Sequence, residues 1–117
     1  MSEPEPIVDA AVLLDTFDGD RDLLDELAGI FIEQAPDWIA QLRAAVDSGD
    51  AEATFRVAHQ VNGSVSCFRV AAVRQAAAAL EALGRAGSLA GAGEALDRLE
   101  AGLLELSAFL GDAPWRR

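Results

Sequence analysis

Residues 51–68 read AEATFRVAHQVNGSVSCF. Stepped at about 100° per residue, Thr54, Val57, Ala58, Val61, Val65 and Phe68 fall on one side of a helix, the side that packs into a core. His59 points the other way. Within about 60° of it by the same step lie Glu52, Phe55, Arg56, Asn62, Gly63, Ser66 and Val70. The segment predicts an amphipathic helix over 51–68 that buries one face and carries the chain's one histidine in mid-helix on the other.

Helices continue on both sides of it. Asp47-Ser48-Gly49-Asp50 is a stop and a restart. Before it, Leu23, Leu24, Leu27, Ile30 and Phe31 recur at helical spacing behind Asp20, an N-cap candidate that follows the turn Phe17-Asp18-Gly19. Pro36 interrupts that pattern, and Trp38, Ile39, Leu42 and Val46 resume it on a compatible face. One long helix is predicted over about residues 20–48, kinked or broken at Pro36. A short helix over about 9–16 precedes it, with Val12, Leu13 and Leu14 able to cover an end of the core. Beyond Phe68, helices are predicted over about 71–85 and 89–110, joined by a link rich in glycine from Gly84 to Ser88.

Prolines stand only at positions 4, 6, 36 and 114, and the 24 alanines and 15 leucines of the 117 residues leave few positions averse to helix. No β-period alternation or Asn-Gly hairpin signal competes. Short links between long helices favour antiparallel neighbours. The expected fold is all-α: an up-down-up-down four-helix bundle with a short extra N-terminal helix. Residues 1–8 are expected as a loose arm, 9–112 as the bundle and 113–117 as a tail.

Charge narrows the partners. Twenty acids against nine arginines give a net charge of −11, which disfavours nucleic acid and anionic membrane surfaces. The imbalance is confined to one half: residues 1–52 carry a balance of −12, residues 53–117 one of +1. An anion is better tolerated in the second half, and a protein is the expected partner. No apolar run approaches the ~18 residues of a membrane span. A single cysteine, Cys67, cannot form an intramolecular disulfide, and no leader pattern precedes the first polar residues, so a cytoplasmic location is expected. One His and one Cys cannot supply a zinc site of the His/Cys type. Asp18-Gly19-Asp20-Arg21-Asp22 has the alternating acids of a calcium loop, but Leu23 and Gly29 stand where that loop needs Gly and Glu. No metal site is expected.

A lone surface histidine is most often a solvated polar residue, but its neighbours here are distinctive. Gly63, one turn beyond, costs a helix up to ~1 kcal/mol relative to Ala, a cost that makes sense if something must approach the imidazole closely. The run Ala58-His59-Gln60-Val61-Asn62-Gly63-Ser64, with Phe68 after it and the long helix before it, resembles the histidine phosphotransfer (HPt) domain family. That family's pattern around its phosphorylated histidine is A-H-x-L-K-G-S-S-x-x-[FL]-G-A. The match rests on Ala58, His59, Gly63, Ser64 and Phe68, with Val61 conservative. It departs at Asn62, where the family has Lys, at Val65, at Cys67 and at Arg69, where the family has the Gly that ends the helix.

The resemblance implies that His59 accepts a phosphoryl group from a receiver-domain aspartate and passes it to another. It also implies that Mg²⁺ and the acidic pocket belong to the partner receiver, with no cofactor in this chain. An unperturbed imidazole, with a pKa of ~6.5, is largely neutral at cytosolic pH and keeps a lone pair free to attack phosphorus. Phosphoryl transfer asks for positioning and charge neutralisation more than covalent help. Arg56, Asn62, Gly63 and Ser66 are the expected phosphoryl environment, and Arg56 is the first candidate to replace the missing lysine, ahead of Arg69 and Arg74. Glu52, Phe55 and Val70 are the expected docking face, although Phe55 has a second reading, partly covered by the N-terminal helix. The expected partners are receiver domains of response regulators or a hybrid histidine kinase, with the protein a monomer.

No P-loop is present, and the glycines at 84, 87, 91 and 93 lack the lysine and strand context of a nucleotide loop, so a carrier rather than a kinase is expected. Ser64 and Ser66, five and seven residues from His59, are not placed to form a nucleophile–base pair. Cys67 reads as a packing residue. Trp115 could fold back over the bundle or engage a partner. A rival reading from another class stays open: a helical adaptor that binds a receiver or kinase and regulates it without transferring phosphate, suggested by Asn62, Val65 and Arg69.

Overall fold

The structure, a computed structural model, describes residues 10–116. The arm expected over 1–8 lies outside them. Five helices follow in order: α1 (Ala10–Thr16), α2 (Arg21–Asp47), α3 (Ala51–Val65), α4 (Ala71–Ala86) and α5 (Ala92–Asp112). Two 3₁₀ turns, Ser66–Phe68 and Pro114–Arg116, follow α3 and α5. Capping fixes the long starts. Asp20 accepts a hydrogen bond from the Leu23 amide at 3.0 Å, and Asp50 accepts one from the Ala53 amide at 3.0 Å, each offsetting an amide that the first turn leaves without a partner.

Helices α2 to α5 pack in a ring in which each touches the next and α5 closes on α2. Cross-contacts give the directions. Arg43 meets Asp97 and Glu100, while Asp25 meets Trp115 and Arg116, so α2 and α5 run antiparallel. The bundle is up-down-up-down with α1 at one end, the expected architecture. Its core is leucine-rich along α5 (Leu96, Leu99, Leu103, Leu106) and aromatic where α2 meets the end of α3. There Phe31 takes Trp38 and Phe68 edge-on, at 5.7 and 5.4 Å between ring centroids, the arrangement that ring quadrupoles favour. Thr54 is buried, with its hydroxyl donating to the Asp50 carbonyl at 2.8 Å.

The structure refines the expected boundaries. Helix α2 runs through Pro36 without a break. The proline stands on the exposed side, where water can serve the carbonyl that its missing N–H leaves over. Helix α4 extends past Gly84, which is inside the helix and buried rather than in the link. Helix α5 begins at Ala92, three residues later than its pattern suggests. The helix expected over 51–68 ends at Val65 and tightens into the 3₁₀ turn, after which Arg69 takes a left-handed conformation, φ 56°.

That turn overturns one site expectation. Val70 is only 1% exposed and belongs to the core instead of the docking face. The 100° step that put it beside His59 stops applying once the backbone leaves the α-helix at Ser66, and the left-handed residue swings Val70 inward as the cap of α4. Trp115 folds back. It is buried against α2, its indole N–H donates to Asp25 at 2.7 Å, and its carbonyl accepts from Arg21 Nε at 2.9 Å. The hydrogen bond from Arg116, then that from Trp115, holds the Asp25 carboxyl below the usual carboxylate range.

A non-glycine residue in the left-handed region is strained, and Arg69 stands where the resembled pattern has Gly. Arg69→Gly should therefore stabilise the protein by about 0.5–1 kcal/mol, the relief of strain less the extra backbone entropy of glycine. Chemical denaturation checks it, and an unchanged or lowered midpoint would contradict the assigned strain.

Candidate functional site

The exposed face of α3 holds the site. His59 stands in mid-helix with its side chain 69% exposed, between core residues Ala58 and Val61 that anchor the backbone. Its Nδ1 lies 2.7 Å from Oε1 of Glu81, a residue of α4 whose side chain is only 13% exposed. Glu81 also accepts from Asn62 Nδ2 at 3.4 Å and from Arg85 Nη2 at 3.5 Å. Above them, the Phe55 ring stacks on the imidazole, 5.8 Å between centroids and 15° from parallel, and the Arg85 guanidinium lies over Phe55 at 5.2 Å. His59, Glu81, Arg85 and Phe55 thus form a closed circuit of contacts across two helices.

The circuit exists because α3 and α4 approach closely at Gly84. A Cβ on that residue would stand 2.6 Å from the Phe55 amide nitrogen and 2.7 Å from the Ala51 carbonyl oxygen, closer than atoms can come. Glycine alone lets the two backbones touch here. One turn before it, Glu81 then reaches His59, and one residue after it Arg85 reaches Phe55.

Electrostatics fix the imidazole's protonation pattern. The hydrogen bond from His59 is the largest influence holding the Glu81 carboxyl below the usual carboxylate range, helped by Asn62 and Arg85 against partial burial. At neutral pH Glu81 is ionised and only accepts, so the proton in this contact is on Nδ1. Nε2 makes no hydrogen bond among the described residues. Because the folded-state pKa of Glu81 is depressed, the stability the contact adds is fully present above the ordinary carboxylate range. It fades as pH falls through the depressed value.

The remaining expected residues divide. Asn62 is at the site, half-buried and turned toward Glu81. Gly63 is exposed, with open space where a side chain would be, so internal packing does not require it and the approach to the imidazole stays clear on that side. The Ser66 hydroxyl donates to the Gly63 carbonyl at 2.8 Å, one turn farther along. Glu52 is exposed in the first turn of α3. Phe55 is half-buried, with Arg85 as its cover. Arg56 lies on the other flank, beside a hollow lined by Gln41, Ser48 and Asp50 at the α2 end. One residue along a helix turns the side chain by about 100°, enough to send Phe55 toward α4 and Arg56 toward α2. Arg74 borders a separate hollow with Asn62, Ala71, Gln75 and Ala78. Burial pushes the Cys67 thiol up, away from reactivity.

Residues 26–109 match the family model of the Hpt domain. The chain belongs to the Hpt domain family. The fold of this Hpt chain also matches a crystal structure of histidine-containing phosphotransfer protein B from Pseudomonas aeruginosa PAO1, with a TM-score of 0.84 over 97% of this chain and 99% of that one. The two sequences are 23% identical, so that likeness speaks for the fold. No curated protein sequence matches the Hpt chain. Among the described residues, no helix is long and apolar enough to cross a membrane.

Gly84→Ala tests how the Hpt site is built. Forcing a methyl against backbone atoms should cost about 1–3 kcal/mol and part α3 from α4. By NMR, the His59 ring ¹⁵N shifts should then lose their dependence on Glu81, seen as identical ring shifts in Gly84→Ala and Gly84→Ala/Glu81→Gln. A variant as stable as the wild type would show that the helices can separate at no cost.

Proposed function

We propose that this protein is a phosphoryl carrier in which His59 Nε2 takes a phosphoryl group from the aspartyl phosphate of one receiver domain and delivers it to the aspartate of another. The observation that carries the reading is the pairing of an exposed Nε2 with an Nδ1 tied to an ionised carboxylate. In the transfer, the Nε2 lone pair attacks phosphorus. The P–O bond to the receiver's aspartate breaks, and the carboxylate leaves with the bonding electrons. The proton stays on Nδ1. The ring gains positive charge as the N–P bond forms, and Glu81, at 2.7 Å, faces that charge. Its ionised oxygen is fixed before the reaction begins, which is what electrostatic help in a transfer step requires. The reverse sequence hands the group on.

Mg²⁺ and the acidic pocket are then the receiver's contribution, and this chain supplies a nucleophile and a docking face. Membership of the Hpt family supports that division of labour, in keeping with a carrier that makes no phosphate of its own. The docking face takes in Glu52 and Phe55 on α3, and Leu23 and Ile30 on α2, 40% and 47% exposed, offer further apolar surface. Beside Ile30, Leu27 and Gln34 border a shallow hollow with Ser64 and Cys67. An apolar strip of this kind next to a nucleophile fits an apolar patch on a partner. The dense negative charge of α2 suits a partner with basic residues around that patch.

Incubation with a phosphorylated receiver, or with the receiver of a hybrid histidine kinase, tests the proposal. An acid-labile, base-stable phosphoryl group should appear on the wild-type protein and be absent from His59→Gln. Binding of the receiver with no transfer would replace the carrier reading by that of a non-transferring adaptor. Glu81→Gln should bind receiver normally yet transfer roughly tenfold more slowly, the effect of about 1.4 kcal/mol on the barrier. Unaltered transfer in that variant would show that the Nδ1 partner has no part in the step.

A further inference from the structure

The resembled pattern places a lysine at position 62, and this chain has Asn62, which donates a hydrogen bond but has no charge. A phosphoryl group on His59 would bring two negative charges beside Glu81, itself an anion. On the carrier reading of His59, some cation must offset them, and four arginines stand near enough to be weighed.

Among the described residues, three of them make no hydrogen bond or ion pair with His59 or Glu81. Arg56 borders the hollow at the end of α2, Arg69 is the left-handed residue after the 3₁₀ turn, and Arg74 borders a hollow beyond Asn62. Arg85 is different. Its Nη2 and the imidazole Nδ1 contact the same carboxylate oxygen, Glu81 Oε1, at 3.5 and 2.7 Å. The guanidinium therefore stands within about 6 Å of the imidazole, the range in which one charge acts strongly on another ionisable group. Side chains on a helix lean toward its N-terminus. For His59 that means toward Phe55, and the stack between the two rings has that geometry. The lean places the imidazole beside the ring over which Arg85 lies.

The geometry points to Arg85 as the residue that neutralises the phosphoryl group on His59, acting from α4 in place of a lysine on α3. In the resting protein the guanidinium is parked, held loosely by Glu81 and by the face of Phe55. Both contacts are weak enough to give up: the pair with Glu81 is a long surface contact, and the Arg85 side chain is 69% exposed. When the phosphoryl group arrives, the guanidinium pivots across the Phe55 ring and exchanges Oε1 for phosphoryl oxygens, which its planar fork can meet in pairs. Glu81 keeps Nδ1–H and Asn62 as partners, so the exchange leaves no bare carboxylate. Phe55 is the surface over which the arginine turns, a role distinct from docking.

The test uses the full chain phosphorylated by a phosphorylated receiver. Two quantities are read: the transfer rate, and the pH midpoint of the ³¹P shift of phospho-His59, which follows the second ionisation of the phosphoryl group. Glu81, Arg85, Arg74 and Asn62 from α3 and α4, with Glu52 and Arg56 flanking, are the charged and polar groups around it. Arg85→Ala should slow transfer about tenfold and raise the midpoint, because a neighbouring cation favours the dianion. Arg85→Lys should recover part of both effects, and Arg85→Ala/Asn62→Lys should restore the rate from the other helix. A purely structural role for Arg85 would not move the midpoint or be rescued at position 62. Wild-type rate and midpoint in Arg85→Ala overturn the proposal alone, as does a loss confined to Arg56→Ala. A wild-type protein that takes no phosphoryl group overturns the carrier reading, and this proposal with it.

Discussion

Helices α3 and α4 touch backbone to backbone at Gly84, and the site depends on that contact. Without it, the residues on the facing sides of the two helices would stand a side chain's width apart. His59 would then be an ordinary exposed imidazole on a bundle. With it, a largely covered carboxylate comes within hydrogen-bond distance of Nδ1, and an arginine comes to rest on the aromatic ring beside the imidazole. Close packing of two helices needs a small residue at the crossing, and here even alanine is too large. One missing methyl therefore brings an imidazole of α3 within reach of a carboxylate of α4.

What could be read from the sequence follows the range of the physics involved. The bundle and the exposure of His59 come from a repeat of 3.6 residues along single helices, and that repeat is written locally in Val57, Ala58, Val61 and Val65. Glu81 and Arg85 could not be found that way. They meet His59 only through the register of α4 against α3, and the residue that sets the register, Gly84, looks like the start of a glycine-rich link when the chain is read alone. A usable signal was present in its neighbours: Leu80, Ala77 and Val73 keep the helical period going up to it, which argues for a glycine inside a helix. Val70 was misplaced for a related reason, since a helical projection holds only while the backbone stays helical, and it leaves that form at Ser66. Arg56 and Phe55 are adjacent in sequence, and the structure sends them to opposite flanks of α3.

The uneven charge of the chain acquires a spatial meaning. Acidic α2 supplies one wall of the bundle and much of the apolar strip beside α3. Of the arginines of the second half, Arg74 and Arg85 lie on α4, and Arg85 contacts the carboxylate that holds the histidine. On the proposed reading, docking draws on α2 and α3 and charge neutralisation on α4, with Phe55 touching both. Departures from the resembled pattern fit the same division. Val65 is fully buried and serves the core, Cys67 packs at its edge, and Asn62 supports Glu81 while the positive charge sits on the neighbouring helix.

The clasp made by Trp115 and Arg116 on Asp25 gives the molecule two separate optical gauges. Its two tryptophans have different partners: Trp38 meets Phe31 edge-on within the aromatic cluster, while the Trp115 indole donates to a carboxylate at the start of α2. Acid that protonates Asp25 loosens the second without touching the first, so the fluorescence of Trp115 follows the fraying of one end of the bundle and that of Trp38 follows the loss of the core. Unfolding in this protein can be watched at the clasp and in the core at once, with no label added.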